Sequence, residues 1–108
     1  MDLERTGLRF KVLHDRPLND GHQVLLQFGN GYGASIVRGP YTYGGPAGLY
    51  ELGVVAFEGE TDEWHLTYKT PLTDDVLGYL TEDDVVRTLT DIHNLPPAHR
   101  ALNDGGTA

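Results

Sequence analysis

The chain has 108 residues, enough for one domain with a real hydrophobic core and too few for a second. Sixteen acidic residues against eight basic ones leave a formal charge of -8, which argues against direct nucleic-acid binding, because attraction to phosphates needs clustered Lys and Arg. The lack of cysteine excludes disulfides, a thiol nucleophile and thiolate metal sites. Apolar runs of three or four residues are too short to span a membrane, and the acidic start Met1-Asp2-Leu3-Glu4 does not read as a secretory signal.

Leu8 to Leu13 alternate, with Leu8, Phe10 and Val12 on one face and Arg9 and Lys11 on the other, which predicts a half-buried strand. Residues 22–28 and 33–38 flank Gly29-Asn30-Gly31-Tyr32, a strong hairpin signal. A two-residue turn at Asn30-Gly31 predicts Phe28 opposite Gly33, Leu26 opposite Ser35 and Val24 opposite Val37, with the Phe28 ring covering the bare Gly33 backbone. Arg38 to Gly48 is a Gly- and Pro-rich excursion carrying Tyr41 and Tyr43. A second hairpin pairs Leu49–Phe57 with Trp64–Lys69 across the acidic tip Glu58 to Glu63, setting Phe57 opposite Trp64, Val55 opposite Leu66 and Gly53 opposite Tyr68.

Beyond Pro71, Thr73 to Leu80 reads as a short helical turn capped by Thr73 or Asp74 and stopped near Gly78. Thr81 then caps a helix over roughly residues 82–95, with Val85, Leu89 and Ile92 as its buried stripe and acids in its first turn, where the helix dipole favours them. Pro96-Pro97 ends it. The expected fold class is α+β: a four- to five-stranded antiparallel sheet of hairpins with one or two C-terminal helices packed on a face. Residues 1–96 form that single domain, and 97–108, poor in apolar side chains, form a flexible tail.

No catalytic constellation stands out. Gly29 to Gly33 lead into a strand rather than a helix and lack a Walker lysine, so they do not form a phosphate loop. Ser35, the only serine, lacks a nucleophile elbow. His14, His22, His65, His93 and His99 never fall at zinc-ligand spacing. The acidic tip lacks the order of residues in a calcium loop. The reading is therefore non-enzymatic, with no metal and no cofactor.

Two features point to binding. Tyr32, Tyr41 and Tyr43 lie in or beside glycine-rich loops, where rigid amphipathic rings serve as contact anchors. Charge is also segregated: residues 1–50 are nearly balanced, whereas 51–91 hold eleven acids and two bases. Glu58, Glu60, Asp62, Glu63, Asp74, Asp75 and Asp83 are the candidate acidic contacts.

The runs Phe28 to Gly39, Tyr43 to Leu52 and Thr70 to Asp84 resemble small accessory proteins of tailed bacteriophages and prophages, including those of actinobacteria. The similarity covers roughly residues 22–95 and carries over no catalytic residue. It implies expression in a bacterial host cytoplasm and a host or phage protein as partner. The leading expectation is thus an acidic accessory protein that binds another protein, one version being nucleic-acid mimicry in which carboxylates stand in for phosphates. The alternative is a small-ligand module using Tyr41, Tyr43 and neighbouring glycines between loop and sheet. A free sheet edge on a short chain also permits a homodimer.

Overall fold

In the computed structural model, residues 1–58, 63–67 and 76–97 are described. They form an α+β fold, an antiparallel sheet with one helix laid across a face. The strands are β1 (Lys11–Leu18), β2 (Gly21–Gln27), β3 (Tyr32–Arg38), β4 (Tyr50–Phe57), β5 (Trp64–Leu66) and β6 (Leu77–Leu80), and the helix is α1 (Glu82–His93). The first five strands lie in sequence order, and β6 joins the β5 side of β4 along Tyr50–Leu52, beyond the Val55–Phe57 stretch that β5 occupies.

The first strand differs from its sequence reading. β1 begins at Lys11 and runs to Leu18, and a bulge between Val12 and His14 breaks the alternation. Leu8 and Phe10 still pack on the core, but Val12 is exposed. An unanticipated hairpin joins β1 to β2 through Asn19-Asp20, whose φ angles of 50° and 64° are those of a primed two-residue turn that matches strand twist.

The β2–β3 register is one residue away from the expected one. Gln27 faces Gly33, Leu26 faces Ala34, Leu25 faces Ser35 and Val24 faces Ile36. The loop has three residues, closed by the Phe28 N–H donating to Tyr32 O at 2.8 Å, and Gly31 alone supplies a positive φ, 86°. Asn30 is the cause. Its Oδ1 accepts from the Tyr32 N–H at 3.1 Å, while Nδ2 donates to the carbonyls of Ile92, His93 and Leu95 at 2.8, 3.2 and 3.2 Å. Asn30 thereby adds a donor to the carbonyls at the end of α1, including Ile92 O, which also accepts from the Leu95 N–H at 3.1 Å. A slip of one residue exchanges the faces of a strand. Val24, Leu26 and Phe28 therefore share the helix side with Ala34 and Ile36, and Gln23, Leu25, Ser35 and Val37 occupy the other side.

Phe28 consequently does not cover Gly33; it packs edge-on against His93, ring centroids 5.5 Å apart. The ring over Gly33 is Phe57, and a Cβ there would sit 2.9 Å from Phe57 Cε2 and 2.0 Å from Leu26 O. The β4–β5 register matches the sequence reading at Phe57–Trp64 and Val55–Leu66, while the Gly53–Tyr68 pair falls outside the described residues.

Leu77 to Leu80 is a strand rather than a helical turn, with Leu77 opposite Leu52 and Leu80 opposite Tyr50. Among the described residues, β5 and Thr67 pair with β4 only from Val54 to Phe57, and Leu77 to Leu80 take up the N–H and C=O groups of the same edge along Tyr50–Leu52, against their local helical preference. The proposed caps Thr73 and Asp74 lie outside the described residues.

α1 follows its sequence pattern. Thr81 Oγ1 accepts from the Asp84 N–H at 3.1 Å and the Thr81 N–H donates to Asp84 Oδ2 at 3.0 Å, a capping box that ties down two otherwise orphaned donors. Val85, Leu89 and Ile92 are buried against Leu26, Ala34, Ile36, Leu52 and Val54. A second cluster, Leu25, Val55 and Phe57 with Leu13 and Trp64, lies on the face away from the helix. No helix among the described residues is long and apolar enough to cross a membrane.

Candidate binding cleft on the open sheet face

The face turned away from α1 carries a cleft of about 350 Å³. Its floor is the middle of the sheet, where Ser35 pairs with Gly53, two small residues side by side. Larger side chains surround that depression: Leu18 and Val37 from the sheet, Trp64 and Leu66 from β5, Val76 before β6, and Tyr41 and Thr42 from the loop after β3. At Gly53 a Cβ would stand 2.6 Å from Leu66 Cδ2, so a larger residue there would displace the Leu66 side chain and fill the depression.

The floor is polar and oriented. The Arg16 Nε–H donates to Gln23 Oε1 at 3.0 Å, which turns the Gln23 amide so that Nε2 donates to Ser35 Oγ, also at 3.0 Å. Gln23 and Ser35 are 4% and 9% exposed, so their mutual bond meets the cost of burying them. Glu51 enters the cleft beside Val37, its Oε1 accepting from the Tyr43 N–H at 3.1 Å. Two other polar residues of the lining are engaged elsewhere: the Arg38 guanidinium lies 4.6 Å over the Tyr50 ring, and the His22 ring meets the Asp15 carboxylate.

The wall contributed by the Gly/Pro loop is a hydrogen-bonded frame. Thr42 Oγ1 accepts from the Gly39 N–H at 3.0 Å, and the Gly45 and Leu49 N–H groups donate to Thr42 O and Gly44 O at 3.1 and 2.9 Å. Gly44 and Gly48 adopt φ of 88° and 81° around a short 3₁₀ turn, Gly45–Ala47. The loop docks on β6 through the Tyr79 N–H, which donates to Tyr43 O at 3.1 Å. Tyr79 itself has φ of 57°, a conformation L-residues seldom adopt. Tyr41 lines the cleft, whereas Tyr43 and Tyr79 stand outside its lining, on the adjoining loop and β6; the three are 79%, 62% and 65% exposed and make an outer rim beside it.

The candidates named from sequence separate accordingly. Tyr41 and Tyr43 belong to the rim, whereas Tyr32 is half-buried against the core at the far end of β3. Glu58 and Glu63 are exposed at the base of the β4–β5 hairpin, with Glu58 Oε1 3.2 Å from His65 Nδ1. Asp83 pairs with Arg5, which also reaches Glu82 at 3.4 Å. Thr81 backbone and side-chain hydrogen bonds hold the Asp84 carboxyl below its usual range. The hairpin acids and the helix-start acids sit at opposite ends of β4, about 23 Å apart at strand rise. Glu60, Asp62, Asp74 and Asp75 lie outside the described residues.

Sequence reasoning missed Gln23, Glu51, Trp64 and Tyr79. The available signal was a Gln and a Ser on adjacent strands, which share a face only in the correct register. Ser35 has an amide partner rather than an imidazole, and among the described residues no three His, Asp or Glu side chains converge to hold a metal ion. No family model matches the chain, and neither the curated proteins nor the solved structures contain a match to it.

Proposed function

We propose that this chain is a non-enzymatic binding protein of the phage accessory type, acting in a host cytoplasm, that grips a host or phage protein with the cleft and its tyrosine rim. The observation that carries the reading is the exposure of Tyr41, Tyr43 and Tyr79 on a hydrogen-bonded frame beside a preformed depression. Rigid aromatic anchors next to a pocket are the arrangement from which binding hot spots are built, because little side-chain freedom is lost on contact. The three sequence runs that resemble phage accessory proteins support the setting. The test is quantitative capture from an actinobacterial lysate by the intact chain and by a Tyr41→Ser, Tyr43→Ser double variant. Loss of the captured proteins from the variant is expected, and equal capture rejects the rim as the contact surface. Glu58→Gln with Glu63→Gln, run in parallel, asks whether the acidic hairpin carries the contact instead, as mimicry of nucleic acid requires.

A second reading is favoured by the size of the cleft, about 350 Å³, which falls within the range of small-ligand pockets. Under it the same walls hold a metabolite, and thermal-shift screening at millimolar ligand should then find a stabilising compound.

A further inference from the structure

Resting on the reading of the cleft as the contact site, we infer that it is a receptor for an arginine side chain presented by the partner protein. The walls are long and apolar or aromatic, Leu18, Val37, Tyr41, Trp64 and Leu66, and suit an aliphatic stem that ends in a flat cation. Among the described residues, Glu51 is the one acid that lines the cleft. Its Oε1 holds the Tyr43 N–H, and among the described residues no cation pairs with this carboxylate. Arg38, which lines the cleft, is held over the Tyr50 ring and reaches the Gly48 carbonyl at 3.5 Å, and Arg16 is held by its Nε on Gln23. Arg16, Gln23, Val37 and Glu51 form one row across four strands, so Arg16 stands about 14 Å from Glu51 by strand spacing and leaves the carboxylate side for a ligand charge.

Ser35 adds an acceptor. A hydroxyl has two lone pairs and one proton, and Gln23 occupies a single lone pair, so Ser35 can receive one N–H of a guanidinium whose other donors meet Glu51. A guanidinium fits this set better than an ammonium, since it combines planar stacking with a fork of donors. The chain's net charge of -8 attracts such a group from a distance.

The experiment is an amide-resonance titration of the full chain with N-acetyl-arginine amide and with its neutral isostere, N-acetyl-citrulline amide. Arginine amide should shift Gln23, Ser35 and Gly53 at millimolar concentration and bind about tenfold more tightly than the citrulline compound, as charge-assisted hydrogen bonds do. Glu51→Gln keeps an acceptor for the Tyr43 N–H and removes the charge. It should reduce arginine binding about fivefold and leave citrulline binding unchanged. Should that variant fail to fold, salt supplies the second readout: in the intact chain added sodium chloride must weaken only the arginine compound. Equal binding of the two compounds overturns the inference while leaving a cleft that binds. Absence of any shift at the cleft also overturns it, and the tyrosine variants then decide separately whether the rim reading stands. Charge-dependent arginine binding together with unaltered protein capture by the tyrosine variants would support the arginine receptor and reject the rim.

Discussion

Asn30 offers the sharpest test of how the sheet register is held. Its amide makes one good bond to the Ile92 carbonyl at 2.8 Å, two longer ones to His93 and Leu95, and its carbonyl accepts from Tyr32. Counting the longer pair as one, three bonds at a net value near 1 kcal/mol each make Asn30→Ala cost about 2 to 3 kcal/mol. For a chain of this size that lowers Tm by roughly 8 to 15 °C. Asn30 does not have a positive φ, so alanine adds no backbone strain and the loss reports the side chain alone. Asn30→Asp separates the hairpin role from the helix role. Aspartate keeps the acceptor for Tyr32 and suits a turn as well as asparagine does, but it sets a negative charge against three carbonyls at the negative end of a helix. The aspartate variant should therefore be no more stable than the alanine one. Urea denaturation with matched m-values measures both, and amide exchange should show α1 opening first from its C-terminal end. An aspartate variant within about 0.5 kcal/mol of the unaltered protein, the scatter of neutral surface changes, would refute the helix-locking account.

Gly33→Ala drives a Cβ to 2.0 Å from the Leu26 carbonyl oxygen, backbone that cannot yield, so the variant should lose about 3 kcal/mol by chemical denaturation or fail to fold. Thr81→Ala removes the N-cap acceptor and should cost about 1 kcal/mol. The folded-state pKa of Asp84 is lowered, so its contribution to stability is present above the unfolded carboxylate value and is lost as pH falls through the folded one. Acid titration of Tm should show that loss, and Asp84→Asn should flatten that part of the profile. Tyr79→Gly relieves a left-handed φ at an exposed position and should leave stability unchanged or raised by about 0.5 kcal/mol, while partner capture weakens if the exposed ring beside the cleft is part of the contact.

Features written in short stretches of sequence are legible from those residues alone. α1 is one: Thr81 and Asp84 are three residues apart, and Val85, Leu89 and Ile92 fall on one stripe, so both the start and the buried face follow from spacing. The β4–β5 register is another, since Phe57 opposite Trp64 maximises cross-strand aromatic contact on one face. The α+β class follows from the order of these patterns.

Tertiary structure decided what depended on distant partners. Asn30-Gly31 alone favours a two-residue turn, and the pull of the α1 carbonyls more than sixty positions away selects the three-residue loop and shifts the register by one. That shift sends Ser35 to the open face beside Gln23, so the cleft could not be read from the strands without it. Leu77 to Leu80 has weak helical character of its own and becomes a strand because the Tyr50–Leu52 edge of β4 supplies its backbone partners. Local propensity amounts to tenths of a kcal/mol per residue, whereas a buried backbone group left unpaired costs about 1 to 3 kcal/mol, so the partner, wherever it lies in the chain, prevails.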